Sequence, residues 1–305
     1  MSRKYVIAGG RGFLGMALAR SLAADGHEAV ILSRRPAPAE GRIRTAIWDG
    51  RTMGAWADEV DGSAGLINFT GRSIACLHTP ENRREILESR FDSVRVLAAA
   101  VAACGRPPQV WLQASSLAIY GDPGDRVCEE TAPCGHGFSA DVCRAWEAEF
   151  FSDPPTPRTR RVALRIGIVL GRDGGALQPL ARLARWYLGG SAGGGRQYIS
   201  WIHIDDFCGL CRWAVDRAGA SGAYNAAGPE PATNSEFMRQ LRRALGRPWS
   251  PPVPAWAVKL GARWLMRADS GLVLTGRRCV PRRLVDEGFR FRHSGLAAAL
   301  RDLLG

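Results

Sequence analysis

The residues best suited to chemistry stand at the very start of the chain. Gly9, Gly10, Gly12 and Gly15 follow the apolar run Tyr5-Val6-Ile7-Ala8 and lead into a helical pattern, Phe13-Leu14-Gly15-Met16-Ala17-Leu18. A turn of this kind can hold a pyrophosphate. Gly9 permits the sharp exit from the strand, Gly12 lets the backbone approach the phosphates, and Gly15 lets helix and sheet pack closely. The helix N-terminus adds unpaired amides and the positive end of its dipole. The turn therefore supplies Gly9, Gly10, Arg11, Gly12, Phe13, Leu14 and Gly15 as expected dinucleotide-binding residues. The next apolar run, Glu28 to Leu32, ends in Ser33-Arg34-Arg35-Pro36, about 20 residues past the glycines, where an adenosine ribose is read. No carboxylate stands there to accept hydrogen bonds from a free 2′-hydroxyl. Arg34 suits a 2′-phosphate instead, through charge-assisted hydrogen bonds. Ser33 and Arg34 thus point to NADP(H) rather than NAD(H).

These residues need a scaffold, and apolar runs alternating with helical patterns supply one through the first two-thirds of the chain. Strands are expected at Tyr5 to Ala8, Ala29 to Leu32, Ile43 to Trp48, Gly65 to Phe69, Val110 to Ala114 and Val162 to Val169. Helices are expected from Phe13 to Ala24, around Pro80 to Cys104, and from Ala140 to Phe151. This is the α/β pattern of a Rossmann-type doubly wound parallel sheet. The proline- and arginine-rich stretch Ser152 to Arg161 reads as a surface loop. Residues 1–228 form the expected dinucleotide-binding domain, with substrate-side insertions from about residue 172. Residues 229–305 form a smaller, mostly helical substrate-side domain, broken by Pro248, Pro251, Pro252, Pro254 and Pro281. Gly189 to Gly195 reads as a flexible loop able to close over a ligand. Trp256, Leu260, Trp264 and Leu265 form a stripe on a helix from Val253 to Arg267 that reads as core.

The 305 residues carry a formal net charge of +12, and Lys4 and Lys259 are the only lysines. The arginines are scattered through every segment rather than gathered in a block, and no aromatic-basic or helix-turn-helix signature accompanies them. A nucleic-acid partner is not expected. No apolar run is long enough to span a bilayer, so no membrane is expected either, and the chain enters its first strand without a secretory signal. Eight dispersed cysteines fit a reducing cytoplasm. Cys208 and Cys211 form one C-x-x-C, but it lies in an apolar helical pattern with no second ligand pair, so no metal site is expected. A monomer or homodimer is anticipated.

Several further segments combine with the glycine turn. They include Ile67-Asn68-Phe69-Thr70-Gly71, Arg84-Glu85-Ile86-Leu87-Glu88-Ser89-Arg90, Ala114-Ser115-Ser116-Leu117-Ala118-Ile119-Tyr120-Gly121-Asp122 and Leu164-Arg165-Ile166-Gly167-Ile168-Val169-Leu170-Gly171. Trp201-Ile202-His203-Ile204-Asp205-Asp206, Ala232-Thr233-Asn234-Ser235-Glu236-Phe237, and Pro281 to Leu284 with Gly288-Phe289 complete the series. In this order and spacing they resemble the extended short-chain dehydrogenase/reductase superfamily. The nearest likeness is to its atypical branch of NADP-binding, epimerase-like proteins with a characteristic C-terminal helical segment. The resemblance spans nearly the whole chain. It implies that Asn68, Phe69, Thr70 and Gly71 lie beside the adenine-ribose half of the cofactor. It implies also that Glu85 and Arg90 reach the ribose and phosphate region, and that Arg165 to Val169 end near the nicotinamide. Asp205 and Asp206 read as caps of a helix, and His203 as a packed histidine of the same turn. Arg11 replaces the small threonine usual inside the glycine turn.

The departure from the family concerns proton transfer. Ordinary members place a lysine four residues after a tyrosine, and the ammonium lowers the phenol pKa from about 10 toward neutrality. Aligned on Trp146-Glu147, Ser139 and Cys143 occupy those two positions. With only Lys4 and Lys259, the pair exists nowhere in the chain. Ser115, Ser116 and Tyr120 are then the candidate catalytic residues: a serine to orient a substrate oxygen, and Tyr120 as hydrogen-bond donor. The resemblance favours an NADP(H)-dependent reductase or epimerase acting on a small hydroxy or carbonyl compound. The missing pair leaves a non-catalytic NADP(H)-sensing or scaffold protein as the alternative.

Overall fold

The computed structural model describes every residue except 1, 153–155, 157, 248, 265–268 and 270. In chain order the strands are β1 (Lys4–Ala8), β2 (Glu28–Ser33), β3 (Ile43–Ile47), β4 (Gly65–Asn68), β5 (Val110–Ser116), β6 (Val127–Cys128) and β7 (Arg160–Ile166). They continue as β8 (Ile168–Gly171), β9 (Gly174–Gly175), β10 (Tyr198–Ile199), β11 (Trp201–His203), β12 (Gly222–Ala226), β13 (Ala232–Thr233) and β14 (Arg278–Cys279). The helices are α1 (Phe13–Ala24), α2 (Pro80–Ala103), α3 (Phe138–Phe151), α4 (Leu177–Arg185) and α5 (Ile204–Asp216). The C-terminal part adds α6 (Asn234–Ala244), α7 (Ala255–Trp264), α8 (Gly271–Leu274), α9 (Arg282–Asp286) and α10 (Leu296–Leu304).

Seven strands in the order β12-β7-β5-β4-β1-β2-β3 make one parallel sheet. A parallel sheet must be covered on both faces, and the buried runs of its central strands β1 and β2 are accordingly apolar. Ile7, Ile31, Leu18, Leu22, Phe207 and Leu210 pack on one face, under α1 and α5. Val6, Val30, Leu97, Val101, Trp111 and Phe150 pack on the other, under α2 and α3. The long helix α2 begins cleanly because Thr79 accepts from Asn82 N and Pro80 occupies the first turn. β1 lies between β2 and β4, so connections leave it in opposite directions. A crevice opens there, beyond the C-terminal strand ends.

The glycine turn sits at that crevice. Gly9 has φ +70°, and a Cβ there would meet the Phe69 carbonyl carbon at 2.9 Å. A Cβ at Gly15 would come within 2.3 Å of Gly10 Cα, so α1 rests directly on the turn backbone. Gly15→Ala is therefore expected to cost about 1–3 kcal/mol as turn and helix separate. Urea unfolding measures this, and a stability equal to the parent's would contradict the close approach.

Three expectations change in the structure. The run Val162 to Val169 is two strands, β7 and β8, broken at Gly167 where Ser200 O approaches closely; β8 leaves the main sheet and pairs with β11 and β9. The loop Gly189 to Gly195 is tied rather than free. Gly193 N donates to Val253 O, Ala192 N to Asn234 Oδ1, and Gly195 N to Ala192 O. Trp256 and Leu260 are not core: Trp256 is 70% exposed and Leu260 is also exposed. The Trp264 side chain, Leu265 and Pro248 lie outside the described residues. A third core cluster joins Leu170, Leu177 and Trp201 to Phe237, Leu241, Leu296 and Leu300, so the chain on either side of residue 229 shares one packing unit. Among the described residues, no helix is long and apolar enough to cross a membrane.

Candidate active site

A cleft of about 1280 Å³ opens at the crevice and brings together Gly9, Arg11, Gly12, Ser33, Arg34, Phe69, Thr70, Gly71 and Glu85. It is built from the glycine turn, the end of β2 and the segment after β4, so most residues expected at a dinucleotide site line one continuous surface. Arg35, Trp48, Asp49, Arg51, Arg72 and Ser89 line it as well. Sequence reasoning missed these. Arg35 adjoins Arg34 and was within reach, whereas Arg51 and Arg72 lie in irregular segments with no motif to mark them.

The cleft shows three features of a site made for an anionic dinucleotide. First, α1 starts at Gly12 with no side-chain cap and no acidic residue in its first turn, leaving first-turn amides for an outside anion. Second, the guanidinium groups of Arg11, Arg34 and Arg35 are exposed and make no ion pair among the described residues. Third, Thr70 Oγ1 is buried without a hydrogen-bond partner. A buried hydroxyl left unpaired is costly unless a ligand satisfies it. The residues thus fit a phosphorylated dinucleotide, with Arg34 and Arg35 stationed at the tip of β2. Ser33 shapes that tip, its Oγ accepting from Arg35 N at 3.2 Å.

Other expected contacts hold the cleft from behind. Asn68 is buried; its Nδ2 donates to Gln113 Oε1 (3.0 Å) and Ser93 Oγ (3.2 Å), and its Oδ1 accepts from Thr70 N (2.9 Å). It sets the Phe69–Gly71 segment and does not line the cleft. Arg90 is a correction of the same kind. Its guanidinium is buried beside Gly71, donates to Arg72 O and Ile86 O, and lies over the Trp146 ring. Burial pulls its pKa below the usual arginine value. Glu85 does line the cleft, paired with Arg72. Gly10 and Gly15 are packed under the turn, and Leu14 packs against the core. Phe13 turns its ring onto Gly171, Gly174 and Gly175.

The candidate catalytic end is more altered. Tyr120 is 1% exposed. Its hydroxyl donates to Asn225 Oδ1 at 2.7 Å and accepts from Arg165 Nη1 at 2.8 Å. Burial drives the phenol pKa well above its ordinary value. Tyr120 is a neutral structural group there and not a donor to substrate. Arg165, expected near the nicotinamide, is buried with its guanidinium engaged by the protein. It grips Glu147 with two hydrogen bonds, Nε to Oε1 (3.0 Å) and Nη2 to Oε2 (2.9 Å). Although burial opposes its charge, Glu147 holds the guanidinium above the usual arginine pKa. Ser115 Oγ donates to Glu147 Oε1 at 2.5 Å and is consumed by the same network. Val169 is buried in the core. Ser116 alone of the candidates is half-buried, with its Oγ accepting from Ala118 N. Burial pushes the Cys143 thiol up to about 12, which removes it as a nucleophile at neutral pH. Tyr120→Phe is expected to cost about 1–2 kcal/mol by stripping partners from Asn225 and Arg165. A thermal midpoint at the parent value would contradict that network.

The other singled-out residues are structural. His203 Nδ1 accepts from Asp205 N at 3.1 Å and caps α5. Asp206 does more than favour the helix end, since its carboxylate accepts from Arg292 N and His293 N across to the C-terminal segment. His203, Asp205 and His293 place potential ligand atoms within 4.8 Å of one another. With Nδ1 accepting from a backbone amide, however, the neutral ring carries its proton on Nε2 and has no lone pair left for a metal. Cys208 and Cys211 are buried in α5 as small apolar residues.

Residues 5–140 match the family described as NAD dependent epimerase/dehydratase, and residues 253–303 match a domain of unknown function, DUF1731. The chain is 34% identical over 315 residues to the Epimerase family protein SDR39U1 of Mus musculus, covering 99% of each. It is 32% identical over 299 residues to the Epimerase family protein YfhF of Bacillus subtilis, covering 98% of this chain and 97% of that protein. Among solved structures, human epimerase family protein SDR39U1 (isoform 2) with NADPH matches with a TM-score of 0.86 at 30% identity, covering 99% of each chain. The nucleoside-diphosphate sugar epimerase from Corynebacterium glutamicum matches with a TM-score of 0.79 at 29% identity, covering 100% of this chain and 59% of that one.

Proposed function

Because the chain belongs to the epimerase family that the SDR39U1 proteins represent, we propose that it is an NADP(H)-dependent oxidoreductase or epimerase acting on a small hydroxy or carbonyl compound. The observation that carries this reading is the unpaired guanidinium group of Arg34, with that of Arg35 beside it, at the β2 end of a cleft whose helix N-terminus is uncapped. The human relative solved with NADPH supports it.

When bound, the nicotinamide would give or take hydride at a substrate carbon. The chain's own residues bind and orient. The α1 amides, with Arg11, would hold the pyrophosphate, Arg34 and Arg35 the 2′-phosphate, and Thr70 Oγ1 a ribose or phosphate oxygen. Ser116 is the residue assigned to the substrate oxygen, because its hydroxyl proton is not committed to Glu147 as that of Ser115 is. No tyrosine–lysine pair lowers a phenol pKa in this chain. Proton transfer through Ser116 therefore relies on a hydrogen-bonded solvent or substrate group, and slow turnover is the natural result.

Calorimetric titration with NADPH and NADH tests the binding half. The chemical half is tested by following the absorbance of reduced nicotinamide over a panel of carbonyl compounds and nucleotide sugars. Binding of NADPH in preference to NADH, with turnover of one panel member, supports the reading. Equal or absent binding of the two nucleotides overturns the cofactor assignment. Firm binding with no turnover across the panel overturns the enzymatic one.

A further inference from the structure

Away from the cleft, the C-terminal part carries an apolar surface that the packing leaves uncovered. Trp186 is 75% exposed, Trp249 66% and Trp256 70%, and Leu188 and Leu260 are exposed beside them. The segments bearing them are laced together. Arg247 stacks on the Tyr187 ring and its Nε donates to Arg185 O, Ser250 Oγ donates to Tyr187 O, and Val253 N donates to Ser191 O. On α7, Trp256, Lys259 and Leu260 fall at i, i+3 and i+4, hence on one face. Tyr187, next to Trp186, has φ 59° and is the one non-glycine residue in the left-handed region among those described. That strain persists only where the surroundings impose it.

Charge says what would cover this surface. No acidic residue occurs between Asp173 and Asp205, and none between Glu236 and Asp269. Arg182, Arg185, Arg243 and Lys259 are exposed and have no acidic partner among the described residues. Elsewhere on the molecule surface arginines are commonly paired, as Arg44 is with Glu28 and Glu59, or Arg95 with Glu149. Exposed tryptophans and leucines among unpaired cations, projecting from loop and helix ends, are what an anionic lipid surface accepts. Indole rings settle at the headgroup level, and the cations meet the negative leaflet.

We propose that this face docks on an anionic phospholipid surface, Trp186, Trp249 and Trp256 entering the headgroup region and Arg185 and Lys259 binding lipid phosphates. The proposal departs from the sequence-based expectation of no membrane partner, which rests on the lack of an apolar run long enough to span a bilayer and does not weigh attachment to one side.

The test is co-sedimentation of the full chain with vesicles of phosphatidylcholine alone, and with vesicles in which part of it is replaced by phosphatidylglycerol. The protein is expected to sediment with the second and not the first, and to be released by salt. Neutralising two cations, Arg185→Gln with Lys259→Gln, should weaken binding roughly 25-fold, since each cation near such a surface contributes about fivefold. Trp186→Ala with Trp256→Ala should weaken it by a similar or larger factor. All four positions are exposed, so an unchanged thermal midpoint will show that the variants are folded. The proposal fails if the parent ignores anionic vesicles, or if both variants bind as the parent does. It also fails if a soluble acidic peptide binds this face while vesicles do not, which would make the partner a protein.

Discussion

Arg34→Ala should lower the affinity for NADPH by about 30-fold or more while leaving that for NADH within about twofold. The guanidinium is exposed at the tip of β2 and has no ion-pair partner among the described residues, so alanine there leaves no buried partner behind. What is lost is a pair of charge-assisted hydrogen bonds to a 2′-phosphate, each worth about 1.5–3 kcal/mol, only partly replaced by Arg35. NADH lacks that phosphate and should not register the change. Titration calorimetry with both coenzymes reads the ratio directly. A parallel loss for both would make Arg34 a general contact. No loss for either would place the ribose phosphate elsewhere.

Arg165→Met should destabilise the fold by about 3–5 kcal/mol, because Glu147 is then left as a buried carboxylate with Ser115 as its remaining partner. For a chain of this size that corresponds to a fall in Tm of roughly 5–8 °C. Pairing it with Glu147→Leu should recover most of the loss, since removing both charges also removes the uncompensated desolvation. Urea unfolding of the parent, single and double variants measures the coupling. If the single variant matches the parent, the ion pair is not a structural element. If the double variant is as poor as the single, packing rather than charge holds α3 against β5 and β7.

The fold and the gathering of the glycine turn and the β2 tip at one cleft were legible in the sequence for a physical reason. A parallel strand covered on both faces is largely apolar at its centre, and a turn on which a Cβ at position 15 would come within 2.3 Å of Gly10 Cα admits nothing but glycine there. Such demands leave marks on single residues. The candidate catalytic residues leave none. Whether Arg165 faces a cofactor or a buried Glu147 depends on the length of α3 and its distance from β7, which no local pattern records. Tyr120 has the same history: a tyrosine after β5 is expected at the substrate, and Asn225, 105 residues away, claims it. Trp256 and Leu260 show the converse error. A stripe of apolar residues at helical spacing identifies a face but does not say that the chain covers it.

The seat of Phe13 joins parts of the molecule that the chain keeps far apart. Its ring fills the hollow over Gly171, Gly174 and Gly175, at the hairpin where β8 meets β9, and β8 in turn pairs with β11 just ahead of α5. The first residue of α1 and the approach to α5 thus share one mechanical anchor. A coenzyme that draws the glycine turn inward would pull on that hairpin through the phenyl ring, with no loop having to close. Communication between the two halves of this molecule would then run through a wedge seated at residue 13, and trimming it should leave each half to respond alone.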